Sequence, residues 1–183
     1  MPESIEITDV RLTEMEANQM TPVMAQSGVS WYVLTLTLRN QSDEPIHLMS
    51  DIRRIRYDGG RRVLVVQLSE HEAPDESPVV SLPMPPRYRA VGAGEETTIV
   101  HPLSSPITFL EPSAAGARRP RYVRLAEDVD SIECTVAYEA ELPAPVIDLT
   151  ARKVQDQWRG RGNTVTASWR TSPLRRERKK TSE

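Results

Sequence analysis

Three histidines, one cysteine and six methionines are the residues best suited to hold a metal or act as acid, base or nucleophile. His47, His71 and His101 are far apart, and none lies in a His-x-His or Cys-x-x-Cys spacing that would set two donors on one face. His47-Leu48-Met49, with Met15, Met20 and Met24 upstream, offers the imidazole and thioether donors that Cu(I) takes. Methionine equally fills gaps in a core, and on that reading no metal and no other cofactor is expected. Cys134 falls on the inward face of an alternating segment, where a thiol is desolvated and inert. The chain has no Gly-x-Ser-x-Gly elbow and no glycine-rich phosphate loop. Asp128-Val129-Asp130 and Glu95-Glu96 could touch a cation, but loop carboxylates of this kind are ordinarily just solvated. No residue set carries a reaction, so the expectation is a non-enzymatic protein without catalytic residues.

Charge and proline point instead to contacts with other molecules. Residues 1–151 carry 13 Arg and no Lys against 23 acidic residues, a net of -10, whereas residues 152–183 carry 10 Lys and Arg against 3 acids, a net of +7. In that basic extension Arg152, Lys153, Arg159, Arg161 and Arg170 are interleaved with Trp158 and Trp169, and Arg175, Arg176, Arg178, Lys179 and Lys180 follow in the tail. Cations beside stacking surfaces suit single-stranded nucleic acid. The acidic body opposes that, since it repels phosphate over a Debye length of about 8 Å. Contact with an acidic protein surface, on a partner or on a second copy, is therefore favoured, with a nucleic-acid-associated protein as the alternative. Pro83, Pro85, Pro86 and Arg87 form a second candidate contact, because Pro83-Met84-Pro85-Pro86 has the Pro-x-x-Pro spacing that aromatic grooves recognise.

The elements that must position these residues read as strands. From Trp31 the side chains alternate, with Leu34, Leu36 and Leu38 on a core face and Trp31, Val33, Thr35 and Thr37 opposite. Asn40 to Pro45 collects turn formers. Ile5, Ile7, Val10 and Leu12 alternate with a parity shift, which predicts a first strand at an edge, bulged near Thr8-Asp9. Glu14 to Gly28 reads as a long loop with room for a helical turn. Ile52 to Leu68 reads as a hairpin in which Asp58-Gly59-Gly60 supplies the positive φ of a tight turn, with a return arm covered on both sides. Short strands follow at Tyr88–Val91, Thr97–Leu103, Ile107–Leu110 and Tyr122–Leu125, with a loop from Glu111 to Pro120. Ser131 to Glu139 places Ile132, Cys134, Val136 and Tyr138 on one face, where they should meet the Leu34 face across a core. Later strands are expected at Val146–Leu149 and Thr164–Trp169, with a short helix between Lys153 and Asn163. The apolar outer face of Trp31 and Val33 calls for a cover, either the extension with Trp158 and Trp169 or another molecule.

Short strands between proline and glycine turns, with hardly any helical periodicity, argue for an all-β, antiparallel sandwich. The phrase running from the Trp31 strand through Asn40-x-Ser42-x-x-Pro45-Ile46 resembles a pattern of bacterial immunoglobulin-like domains. That resemblance implies an immunoglobulin-like β-sandwich fold and no particular function. The expected organisation is a body over 1–151, an extension with a last strand over 152–170 and a disordered basic tail over 171–183. With no secretory signal and no run of the roughly 20 apolar residues a membrane span needs, the expected setting is the cytoplasm of a bacterium, without membrane contact. The functional expectation is a protein-interaction or scaffold module of a bacterial assembly, bound to a protein partner or to itself.

Overall fold

A computed structural model describes residues 5–69, 87–112, 116–142 and 163–170; residue 112 and the last range are described by their backbone alone. The described residues are mostly β. The first sheet has the order β1 (Ile5–Glu14), β2 (Ser30–Asn40), β7 (Glu96–Ser105), all antiparallel. Strand β2 is central, as its alternation demands: Leu34, Leu36 and Leu38 are completely buried, each contributing about 2 kcal/mol relative to exposure. The bulge in β1 is present, with the register shifting between Ile7 and Asp9, so Ile5, Ile7, Val10 and Leu12 all reach the core.

The second sheet runs β4 (Arg54–Asp58), β5 (Val63–Leu68), β10 (Ser131–Glu139), β3 (Ile46–Met49), β6 (Tyr88–Val91). Strand β11 (Asn163–Arg170) pairs antiparallel along β10 from Tyr138–Asn163 to Ser131–Arg170. One pairing departs from the antiparallel expectation, because β5 runs parallel to β10. The long connection between those strands permits that direction, which a tight turn would forbid. All six residues of β5 are buried, as expected of an arm covered on both sides.

The two sheets share one core. Tyr32, Leu34, Leu36, Leu38, Ile99 and Leu103 from the first sheet belong to the same cluster as Leu48, Leu64, Val66, Ile132, Val136 and Tyr138 from the second. Asn40, fully buried at the end of β2, ties the sheets at one corner. Its Nδ2 donates to the carbonyls of Glu44 (2.7 Å) and Gly92 (3.0 Å), and its Oδ1 accepts from Ser42 N at 2.9 Å. Asn40 thus closes its own turn and bonds the chain leaving β6.

Two local expectations need correction. In the β4–β5 hairpin the left-handed residue is Arg62, at φ 55°, and neither Gly59 nor Gly60 is among the positive-φ glycines. The Asp58 carboxylate sets the turn instead, accepting from Gly60 N at 3.0 Å and Arg61 N at 3.1 Å. Strand β9 starts earlier than expected and spans Arg118–Val123, pairing with β8 (Ile107–Pro112). Three arginines and a proline hide that strand's alternation from sequence. The segment Glu14 to Gly28 holds a 3₁₀ turn (Ala17–Gln19) and the short helix α1 (Pro22–Gln26), with no buried residue in either. It reaches the outer face of β2, where Met15 N donates to Trp31 O at 2.8 Å and the Trp31 indole donates to Ser27 Oγ at 3.0 Å. Trp31 and Val33 are accordingly half-buried.

Candidate functional site

Of the contact residues picked out from sequence, Pro83, Pro85, Pro86, Trp158, Arg159, Arg161, Arg175, Arg176, Arg178, Lys179 and Lys180 lie outside the described residues, as do the expected strand at Val146–Leu149 and helix after Lys153. Trp169 lies in β11, its backbone opposite Ile132 in the second sheet. Arg87 is described, and it is bound to the body. Its guanidinium grips Asp51 through Nη2 (2.7 Å) and Nε (3.0 Å), and its backbone N–H donates to the same carboxylate at 3.0 Å. Ser50 N and Oγ donate to the Arg87 carbonyl. His101 on β7 completes this seam, its Nε2 at 2.8 Å from Ser50 O; because a carbonyl only accepts, Nε2 carries the hydrogen. Burial lowers the His101 pKa, so the ring is held neutral, against the pull of the Ser50 carbonyl and the Asp51 charge. Burial works to raise the Asp51 carboxyl, but the hydrogen bonds and charge of Arg87 outweigh it and hold the group below its ordinary value. Arg87 is thus a mooring for the chain entering β6.

His71 lies outside the described residues, and several of the other residues that could do chemistry are occupied structurally. Burial pushes the Cys134 thiol up to about 12. Asp128 accepts from Arg124 N at 2.7 Å, Asp130 pairs with Arg62 at 2.8 Å, Glu95 accepts from Gly92 N at 2.7 Å and Glu96 pairs with Arg39 at 3.2 Å. Met49 is buried in the core. Among the described residues no group of three or more His, Cys, Asp or Glu could hold a metal ion.

One surface remains that the sequence reading did not single out. Strands β8 and β9 form a two-stranded ribbon that joins neither larger sheet. Its inner face is consumed by packing: Phe109 and Val123 are buried, and the Phe109 ring lies 6.4 Å from that of Tyr57. Arg121 lies over the Tyr57 ring at 4.9 Å and pairs with Glu111 at 2.6 Å. Its guanidinium passes so close to Gly59 that a Cβ there would collide with it. The Tyr57 hydroxyl donates to Asp128 O at 2.7 Å and anchors the hairpin to the turn ahead of β10. With the inner face committed, alternation turns Arg118, Pro120 and Tyr122 outward, opposite Pro112, Leu110 and Thr108 of β8. Tyr122 is 63% exposed. Arg118 and Arg119 are exposed and make no ion pair among the described residues, while Arg124 pairs with Glu127 at 2.9 Å. Four of the thirteen arginines of residues 1–151 fall between positions 118 and 124, and no acid lies between Glu111 and Glu127. A local charge window would have found this run; the net of -10 for the whole body concealed it. Nor does the surface bear catalytic pairs: it can offer guanidinium forks, an aromatic plane and little else. No model of a known protein family matches the chain, and no curated protein matches it in sequence.

Proposed function

We propose that this chain is a non-enzymatic protein-interaction or scaffold module of a bacterial cytoplasmic assembly, built on an immunoglobulin-like β-sandwich. The order of the strands supports the fold reading. The sheet β1-β2-β7 corresponds to the A-B-E order of such sandwiches, and β3-β10-β11 to C-F-G, with the β4–β5 hairpin and the β8–β9 ribbon as additions. The functional reading is carried by one observation: the ribbon spends its inner face on the body and leaves to solvent Tyr122 and two arginines, Arg118 and Arg119, that have no ion pair among the described residues. An exposed aromatic flanked by arginine is the composition of an interface centre rather than of an inert surface.

The test is a photo-crosslinking residue in place of Tyr122 in the full chain, irradiated inside the cells that make it. The reading expects an adduct with one defined protein, lost when Arg118 and Arg119 are both changed to Glu. Adducts with nucleic acid, or the absence of any adduct dependent on those arginines, would overturn it. No helix among the described residues is long and apolar enough to cross a membrane.

A further inference from the structure

The ribbon has a sidedness that specifies its occupant more closely than its charge alone. In β9 the outward positions are Arg118, Pro120 and Tyr122, and Arg124 continues in extended conformation with the same parity. At about 3.4 Å per residue, Arg118 and Arg124 stand roughly 20 Å apart with Tyr122 and Pro120 between them. Leu110, half-buried, and Thr108, exposed, lie beside Pro120 and Tyr122 in the facing strand. The surface is therefore a stripe with a cation at each end and a flat apolar centre; Arg119, also exposed but of the opposite parity, adds positive charge beside it and makes no ion pair among the described residues.

We infer that this stripe binds an extended acidic segment of a partner protein, with carboxylates at the two ends and proline or apolar residues over Tyr122. This rests on the interaction-module reading and names the partner's chemistry. An extended peptide repeats its side chains on one face every two residues, the same repeat as β9, so acidic residues six positions apart meet Arg118 and Arg124 together. The guanidinium fork donates two parallel hydrogen bonds to a carboxylate. Charge decides against a nucleic acid. Glu111, Glu127 and Asp128 border the stripe, and residues 1–151 carry a net of -10. A polynucleotide brings a phosphate at every residue into that field, whereas a peptide brings carboxylates only where the arginines stand.

The experiment is a fluorescence-anisotropy titration of the full chain against a labelled Glu/Pro peptide of about twelve residues, long enough to span the stripe. A neutral Gln/Pro peptide, a single-stranded oligothymidylate and inorganic polyphosphate are run beside it. The expected result is saturable binding of the acidic peptide that weakens with salt, is not matched by the other probes, and falls at least about tenfold in the Arg118→Glu, Arg119→Glu double variant. Tyr122→Ala should weaken it separately, through loss of the apolar centre. Both variants change exposed positions, and thermal unfolding at the wild-type temperature verifies that they remain folded. Equal binding of the neutral peptide, tighter binding of oligothymidylate or polyphosphate, unchanged binding after charge reversal, or no binding at low salt would each overturn the inference. A Tyr122 crosslink to a protein together with failure of the acidic peptide would retain the interaction module and reject only the acidic partner.

Discussion

Replacing Asn40 by alanine should cost more than any other single change to a polar residue of the body. The structure allows the size of the effect to be worked out. The side chain is fully buried and provides two N–H donors and one oxygen acceptor, used at 2.7 Å on Glu44 O, 3.0 Å on Gly92 O, and 2.9 Å from Ser42 N. Ser42 Oγ also donates to the Asn40 oxygen at 2.7 Å; counting the two Ser42 contacts as one, alanine removes three bonds, from partners that are half-buried or exposed. At about 1 kcal/mol for each bond the loss is ~3 kcal/mol. For a chain of this size that corresponds to a fall in Tm of roughly 6–12 °C. Thermal and urea unfolding followed by circular dichroism would measure it, with Gln41→Ala as a neighbouring control. Gln41 bonds Glu6 at 2.6 Å on the exposed surface, so its removal should fall within about 0.5 kcal/mol of wild type. Asn40→Asp keeps the acceptor towards Ser42 but replaces donors with a charge facing carbonyl oxygens. It should therefore lose further stability as pH rises and the carboxyl ionises. A loss below about 1 kcal/mol for Asn40→Ala would refute the claim that this residue joins the sheets.

Other outcomes follow from the same geometry. Because the folded His101 pKa is lowered, the unfolded chain binds more protons on acidification, so stability should fall as pH drops below about 6.5; His101→Asn should flatten that slope in urea titrations at stepped pH. Asp51 has the opposite type of group but the same direction of loss: its lowered pKa means the stability it contributes is present above the ordinary value of 3.8 and disappears as pH falls through the folded value. The difference between wild type and Asp51→Asn should thus vanish in strong acid. Gly59→Ala should displace Arg121 from the Tyr57 ring at a cost of about 0.5–1 kcal/mol, and should add little in an Arg121→Ala background, as a double-mutant cycle would show. The Cys134 thiol, pushed up to about 12 and enclosed in the core, should react with a disulfide reagent only at the rate of unfolding.

Much of the fold was legible where one physical signal acted alone. Period-two burial marks β2 throughout and β10 as far as Val136, with Leu34, Leu36, Leu38, Ile132, Cys134 and Val136 all in the core; Ala137, expected outward, is buried as well. The β1 bulge was visible as a parity change for the same reason. Asp58-Gly59-Gly60 locates the β4–β5 turn, but two glycines in a row mask which residue a carboxylate cap leaves in the left-handed region, here Arg62. Gly59 is needed for the approach of Arg121, a contact between elements far apart in sequence. Strands at Ile107–Leu110 and Tyr122–Leu125 are legible in the sequence, but the start of β9 at Arg118 is not, because Arg121 on the Tyr57 ring and the exposed Arg119 look alike in sequence. Arg87 was picked out for its neighbours Pro85 and Pro86, whereas its partner Asp51 lies on a separate strand connection and is paired with it only by the fold.

The central claim, that the outer face of the ribbon is the contact surface, is tested most directly by mapping backbone amide NMR shifts of the full chain during titration with the acidic Glu/Pro peptide. The account predicts progressive, saturable shifts at Thr108, Leu110, Arg118, Arg119, Tyr122 and Arg124, with the amides of β2 and β10 unmoved. Shifts centred on the outer face of β2 and β7, around Val33 and Val100, with the ribbon silent, would contradict it.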